Sequence, residues 1–229
     1  MAPIRPADLS QLHVIVSVRA LDDGKKRLSP VLGGQQRALL VAGLLERTLD
    51  VLRAWGGAAA IHVVSPDPAV MPLARSGGAQ TNLQADKGLN EGIVAAREIA
   101  ISEGATAILV LPADLPVLEA DALDALVDAA DAALAAGAGR PVVVVAPADA
   151  RSGTNALLLS PPDAIAPAFG PASLERHLRA AEAAGASTQL VVDAAIGFDL
   201  DTPDDLTLLG PERLAELMTP SPPPDSAPR

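Results

Sequence analysis

Two kinds of apolar segment alternate along the chain. Short runs read as strands: "LHVIVSV" (12–18), "AIHVVSP" (60–66), "TNLQA" (81–85), "TAILVL" (106–111), "PVVVVAP" (141–147), "NALLLS" (155–160) and "TQLVVD" (188–193). Longer stretches with helical spacing fill the gaps, over 35–54, 68–76, 89–103, 119–136, 173–185 and 203–217. In the first of these, Leu40, Leu44, Leu45, Leu49 and Leu52 form one broad apolar face. Continuous Val/Ile/Leu strands separated by helices predict a mostly parallel sheet covered on both faces. The expected fold class is therefore α/β: three layers, α/β/α, around a mostly parallel mixed sheet, Rossmann-like in character.

The ends break this rhythm. Residues 1–10 contain two prolines and little periodicity, and "TPSPPPDSAPR" (219–229) is too proline-rich to pack. A single domain over 11–218 is expected, between a flexible N-terminal arm (1–10) and a disordered tail (219–229). There is no internal repeat.

Composition narrows the chemistry. At 229 residues and 49% hydrophobic content the chain can bury its own core. It has no cysteine, which excludes disulfides, thiolate catalysis and zinc–thiolate sites. His13, His62 and His177 stand far apart without a short ligand spacing, so any metal is expected to be hard and oxygen-bound. A net charge of −11 with 1% aromatics argues against nucleic acid as a partner. No apolar run approaches the roughly 20 residues of a membrane span and no secretory signal opens the chain, so a cytoplasmic protein with a small ligand is expected.

In an open α/β sheet, ligands sit beyond the carboxyl ends of the strands, so the loops there carry the candidate chemistry. "RALDDGKKRLSPVLGG" (19–34) gathers Arg19, Lys25, Lys26 and Arg27 in an otherwise acidic chain, a set suited to a polyphosphate or, more plainly, to a solvated loop. It matches neither a P-loop nor a dinucleotide fingerprint. "DKGLNEG" (86–92) opens a helix; its amides at Gly88 and the Asn90 side chain suit a nucleotide base, and Asn90 suits a helix cap equally.

"LPADLP" (111–116) holds one carboxylate, Asp114, between two prolines that stiffen the loop. So aimed, it suits Mg²⁺ held against a phosphate, and it lies too far upstream to cap the helix near 119. In "GFDLDTPDDL" (197–206) an extended backbone puts Asp199 and Asp201 on one side, as metal ligands. Thr202, Pro203 and Asp205 read as a helix start, to which Asp204 and Asp205 are left. "RSGTN" (151–155) supplies Thr154, and "FGPASLERH" (169–177) runs from Gly170 to Ser173 at a helix N-terminus, a natural phosphate or carboxylate site; Ser173 is also a candidate N-cap. His177, one turn on, either faces the same pocket or packs.

Taken in order, "VRALDDGKKRLS", "GLN", "LPADLP", "GTNALLL", "FGPAS…RH" and "FDLDTPDDL" resemble the 2-phospho-L-lactate or phosphoenolpyruvate guanylyltransferases of coenzyme F-420 biosynthesis, over about residues 12–209. Two departures stand out: Arg19 where that family commonly has Lys, and Ser152 where it has Gly. The resemblance implies a nucleotide-diphosphate-sugar transferase-like fold and a magnesium-dependent nucleotidyltransferase. Asp114, Asp199 and Asp201 would hold Mg²⁺. Lys25 and Arg27 would meet the triphosphate as catalytic residues with Asp114, and Arg19, Lys25, Gly88 and Asn90 would bind the nucleotide. Thr154, Gly170 and Ser173 would hold a three-carbon phospho-acid. GTP and that acid are the expected partners; the alanine-rich composition suggests a GC-rich bacterial genome, and since the family's bacterial members are associated with phosphoenolpyruvate more than with phospholactate, the resemblance implies phosphoenolpyruvate as the acceptor. The rival readings are a relative acting on a sugar phosphate or a pterin cofactor, and a non-catalytic nucleotide-binding subunit. A homodimer is compatible with the sequence but not set by it.

Overall fold

The computed structural model describes residues 7–21, 25–84, 88–137, 139–148 and 153–219. Seven strands form one sheet: β1 (Leu12–Ser17), β2 (Ala60–Ser65), β3 (Gln80–Leu83), β4 (Ala107–Pro112), β5 (Val142–Pro147), β6 (Thr154–Ser160) and β7 (Ser187–Leu190), in the order β3-β2-β1-β4-β6-β5-β7. Only β6 runs against its neighbours, β4 and β5. The remaining pairs are parallel, so the carboxyl ends of β1, β2 and β4 open on one edge.

Among the described residues, eight α-helices cover the sheet or close its edge: α1 (Gly34–Trp55), α2 (Val70–Ser76), α3 (Leu89–Ser102), α4 (Ala120–Ala136), α5 (Ser173–Ala183), α6 (Ala194–Gly197), α7 (Pro203–Leu209) and α8 (Pro211–Leu217). The strands bury both faces because their side chains alternate. Val14 and Val16 point to the α1/α4 side with Leu45, Leu49 and Leu126, while Ile15 points to the other side with Ile93 and Ala96 of α3. A third cluster joins Leu28, Leu32, Leu40, Leu44, Leu200 and Leu217.

The structure differs from the sequence expectation in three places. The helix expected over 203–217 is two: Gly210 sits at φ 84, ψ 157, and Pro211 opens α8. Proline has no N–H to continue the ladder and drives the preceding residue out of helical conformation. The strand expected over 188–193 ends at Leu190, after which Asp193 caps the four-residue α6 by accepting hydrogen bonds from the backbone N–H groups of Ala195 and Ile196. Of the expected arm, residues 7–10 are packed: Leu9 lies against the core, and the Ser160 hydroxyl donates to the Asp8 carbonyl at 2.8 Å. Residues 1–6 and 220–229 lie outside the described residues.

Gly43 shows how tightly the chain's end packs on α1. A Cβ there would lie 1.7 Å from the Leu217 carbonyl oxygen, so α8 can approach only because this helix position carries no side chain.

Candidate active site

One cleft of about 700 Å³ opens at the carboxyl edge of the sheet. It is lined by nine of the residues singled out in the sequence: Arg19, Lys25, Arg27, Asp114, Thr154, Gly170, Ser173, Asp199 and Asp201. They come from five separate loops. Gly88 and Asn90 do not line it, although Gln84 and Leu89 from the same segment do.

At the centre is Lys25. Its ammonium donates to Asp114 Oδ2 at 2.5 Å and to Asp201 Oδ1 at 2.9 Å, and Lys25 is buried. Burial works against the charge, but Asp114 and then Asp201 outweigh it and hold the Lys25 pKa above the usual lysine value. Of the two readings of the basic loop, polyphosphate-binding or solvated, the solvated one does not hold for Lys25, which is a fixed ammonium between two carboxylates. Its backbone is left-handed (φ 56, ψ 36), an uncommon conformation for a side chain with a Cβ, and the one-turn 3-10 helix Lys26–Leu28 follows it directly. Arg27 is mostly exposed and approaches Asp201 Oδ2 at 3.9 Å.

The rigidity expected of the Asp114 loop has more anchors than its prolines. Ala113 N–H donates to the Ser17 carbonyl, and Arg47 of α1 donates from Nε to Pro116 O (2.8 Å) and from Nη2 to Leu118 O (3.0 Å). Leu200 N–H donates to the Asp114 carbonyl at 3.1 Å. Asp114 does not cap α4, whose N-cap is Glu119. Arg47 was not singled out in the sequence, because its task is defined only by a loop 69 residues away.

Around Leu200 the period of two holds. Asp199 and Asp201 face the cleft, while Leu200 between them is fully buried. The expected capping box forms next: Asp205 Oδ2 accepts from the N–H groups of Thr202 and Asp201, and Thr202 Oγ1 accepts from Asp205 N–H. Asn155, the neighbour of Thr154, donates to the carbonyls of Ile196 and Gly197, tying β6 to the segment that carries Asp199.

The other lip is made by residues 168–173. Gly170 has φ 113 and Ala172 φ 53, so the loop folds tightly enough to bring α5 up to the cleft. The N-cap of α5 is Ala172, which has no side-chain oxygen; Ser173 is the first helical residue, so of the two roles left open for it the N-cap is not the one it fills. Asn90 of α3 holds this lip. Its Nδ2 donates to the Phe169 carbonyl (3.1 Å) and its Oδ1 accepts from Phe169 N–H (2.7 Å). Asn90 is therefore neither the α3 N-cap, which is Gly88, nor turned into the cleft toward a base. Ser152, where the family motif has Gly, lies outside the described residues, as do Asp86 and Lys87.

His177 is fully buried between the lips. Its Nδ1 lies 3.0 Å from Thr154 Oγ1, its Nε2 accepts from Ala168 N–H at 2.9 Å, and its ring meets Phe169 edge-on at 5.0 Å. Burial, with a smaller push from Arg176, lowers its pKa to about 4. A histidine whose folded pKa is depressed takes up its proton more readily when unfolded. Its contribution is therefore complete above about pH 6.5 and lost as the pH falls toward 4, up to about 3 kcal/mol. Denaturant titrations between pH 7.5 and 4 should show that loss, and it should shrink in His177→Gln; an equal loss in the variant would assign it to other groups.

Two histidines expected to stand apart are neighbours. Parallel pairing of β1 and β2 places His13 Nδ1 3.0 Å from His62 Nε2, with Glu103 Oε2 at 4.0 and 3.6 Å from them. The ring centroids are 5.2 Å apart and the planes nearly parallel (19°). At that separation the two nitrogens meet almost head-on. In the neutral pair one of these nitrogens carries the proton and donates it to the other, and with Glu103 the two rings form a cluster of three groups whose ligand atoms lie within 4.8 Å of one another.

The match to known proteins is extensive. Residues 12–210 fit the family described as "Guanylyl transferase CofC like". This chain belongs to that family. It is 44% identical over 198 residues to the phosphoenolpyruvate guanylyltransferase of Rubrobacter xylanophilus, covering 86% of this chain and 93% of that one. It is 41% identical over 192 residues to the enzyme of that name from Sphaerobacter thermophilus, covering 84% and 89%. Among solved structures, a nucleotidyl transferase from Methanothermobacter superposes with a TM-score of 0.62 at 13% identity, over 90% of this chain and 99% of that one. A 4-diphosphocytidyl-2C-methyl-D-erythritol synthase does so with 0.60 at 16%, over 91% and 97%. These two bear on the fold, which is the nucleotidyltransferase fold expected from the sequence. No helix among the described residues is long and apolar enough to cross a membrane.

Proposed function

We propose that this guanylyl transferase moves GMP from GTP to phosphoenolpyruvate, releasing pyrophosphate, as a step of coenzyme F-420 biosynthesis. The observation that carries this reading is the meeting, in one cleft, of a buried ammonium between two carboxylates with the anion-seeking groups of Thr154, Gly170 and Ser173. The names of its relatives support the acceptor.

In this reading an oxygen of the acceptor's phosphate attacks the α-phosphorus of GTP. The bond from that phosphorus to the bridging oxygen breaks, and pyrophosphate leaves with the electron pair. The attacking oxygen is already ionised at neutral pH, so the protein needs no general base. Arg19 and Arg27 offset triphosphate charge at the mouth, and Lys25 offers a fixed cation deeper in. Asp114, Asp199 and Asp201 supply hard carboxylate oxygens suited to Mg²⁺, and the ammonium seated between two of them supports a place where positive charge is favoured. When bound, Mg²⁺ would neutralise phosphate charge and orient the two reactants. The guanine falls to the Gln84–Leu89 side of the cleft, where a pocket that pairs its own polar groups with one base rejects the others.

Mass spectrometry of products from GTP with a panel of phosphorylated acids, followed by kcat/KM for each acceptor, tests the reading. The expected product is enolpyruvyl-diphospho-guanosine, with GTP preferred over ATP and CTP. A higher kcat/KM with 2-phospho-L-lactate would replace the acceptor and keep the chemistry. Turnover with a sugar phosphate alone would replace the reading.

A further inference from the structure

We infer that His177 is a positioning residue for the acceptor: as a neutral ring it fixes the Thr154 hydroxyl as a hydrogen-bond donor into the cleft and ties it to the opposite lip. The inference rests on the acceptor occupying the Thr154–Gly170–Ser173 side, as proposed above.

The geometry decides the tautomer. A backbone N–H can only donate, so His177 Nε2, accepting from Ala168 N–H at 2.9 Å, carries no proton. The proton of the neutral ring is then on Nδ1, 3.0 Å from Thr154 Oγ1, and must be donated to that oxygen. Thr154 Oγ1 already accepts, so its own proton is available for a second partner. Among the described residues it has no protein acceptor, and Thr154 lines the cleft. The hydroxyl is thus set as a donor, which matches an anionic carboxylate or phosphate oxygen and mismatches a ligand N–H.

The same ring governs where the other lip stands. Ala168 hangs from its Nε2 and Phe169 packs on its edge, while Asn90 takes both polar groups of the Phe169 backbone. Gly170 and Ser173 follow within five residues of Ala168 on the same short segment, so Thr154 and this lip share one reference point. A protonated ring would present an N–H to the Ala168 N–H, and this arrangement would be lost. Burial, with Arg176, keeps the ring neutral at neutral pH.

Two substitutions separate the ring's halves. In His177→Gln the amide oxygen reaches the Nε2 place and still accepts from Ala168, but the donor to Thr154 is gone. In His177→Asn the amide nitrogen takes the Nδ1 place and keeps that donor. Expected for His177→Gln is a KM for phosphoenolpyruvate raised about tenfold, with the KM for GTP within about twofold of wild type and kcat little changed. His177→Asn and Thr154→Ser should be milder. Thr154→Val combined with His177→Gln should cost little more than either alone, because both remove the same hydrogen bond. Equal rises in both KM values, or additive effects in the double variant, would overturn the inference. Nitrogen-15 NMR of His177 in the wild-type protein at pH 7 should show Nδ1 protonated and Nε2 bare. The opposite tautomer would overturn the inference whatever the acceptor, whereas correct NMR without turnover of any phospho-acid would sink only the acceptor reading.

Discussion

Asp114→Asn is expected to lower kcat/KM by about a thousandfold or more while leaving the fold intact, as read by steady-state kinetics and circular dichroism. The amide keeps the shape of the side chain and can still accept from Lys25, so the anchors of the loop, which are all backbone groups and Arg47, are untouched. What it loses is the negative charge at the rigid end of β4, where a divalent ion would be held against phosphate. Turnover within tenfold of wild type would remove Asp114 from the chemistry and leave it a structural partner of Lys25.

The second large effect is expected from Lys25→Met, which should lower both stability and turnover while strengthening the response to Mg²⁺. Without Mg²⁺ the variant should be less stable by about 1–3 kcal/mol, because Asp114 and Asp201 lose the cation between them; those carboxylates are only about three-quarters buried, so the cost falls below that of a fully buried broken pair. Millimolar Mg²⁺ should then raise the melting temperature of the variant more than that of wild type, since the ion no longer competes with an ammonium for the two carboxylates. Turnover should nevertheless fall sharply. A variant as stable as wild type, with the same response to Mg²⁺, would mean that Lys25 and the metal do not share a place. The raised pKa of Lys25 means that its own contribution is complete at neutral pH and is lost only as the pH climbs above the ordinary lysine value.

Much of this molecule was legible in its sequence because much of it is local. Strand identity follows from continuous apolar runs, and α1 announces itself through the spacing of Leu40, Leu44, Leu45, Leu49 and Leu52. The cleft-lining loops were recognisable because cations, single carboxylates and glycines stood at strand ends. What could not be read depends on which distant segments meet. Asn90 bonds a residue 79 positions away, Arg47 one 69 away, and Lys25 one 176 away, and no periodicity encodes such distances. The pairing of His13 with His62 likewise requires the register of β1 on β2, and the split at Gly210–Pro211 required giving two punctuating residues more weight than the apolar spacing around them.

The small apolar cluster of Leu28, Leu32, Leu40, Leu44, Leu200 and Leu217 has a consequence for the order in which the molecule is made. Leu28 is three residues from Lys25 and Leu200 one from Asp201, so the two charged loops lean on the same patch, which only the last turn of α8 completes. A chain emerging from the ribosome can assemble β1, β2 and β4 long before that turn exists. Until Asp201 is made the ammonium of Lys25 has one carboxylate partner instead of two, and until Leu217 follows the apolar patch beneath its loop is incomplete. The arrangement of Lys25 between Asp114 and Asp201 is therefore completed only after all seven strands of the sheet have been made.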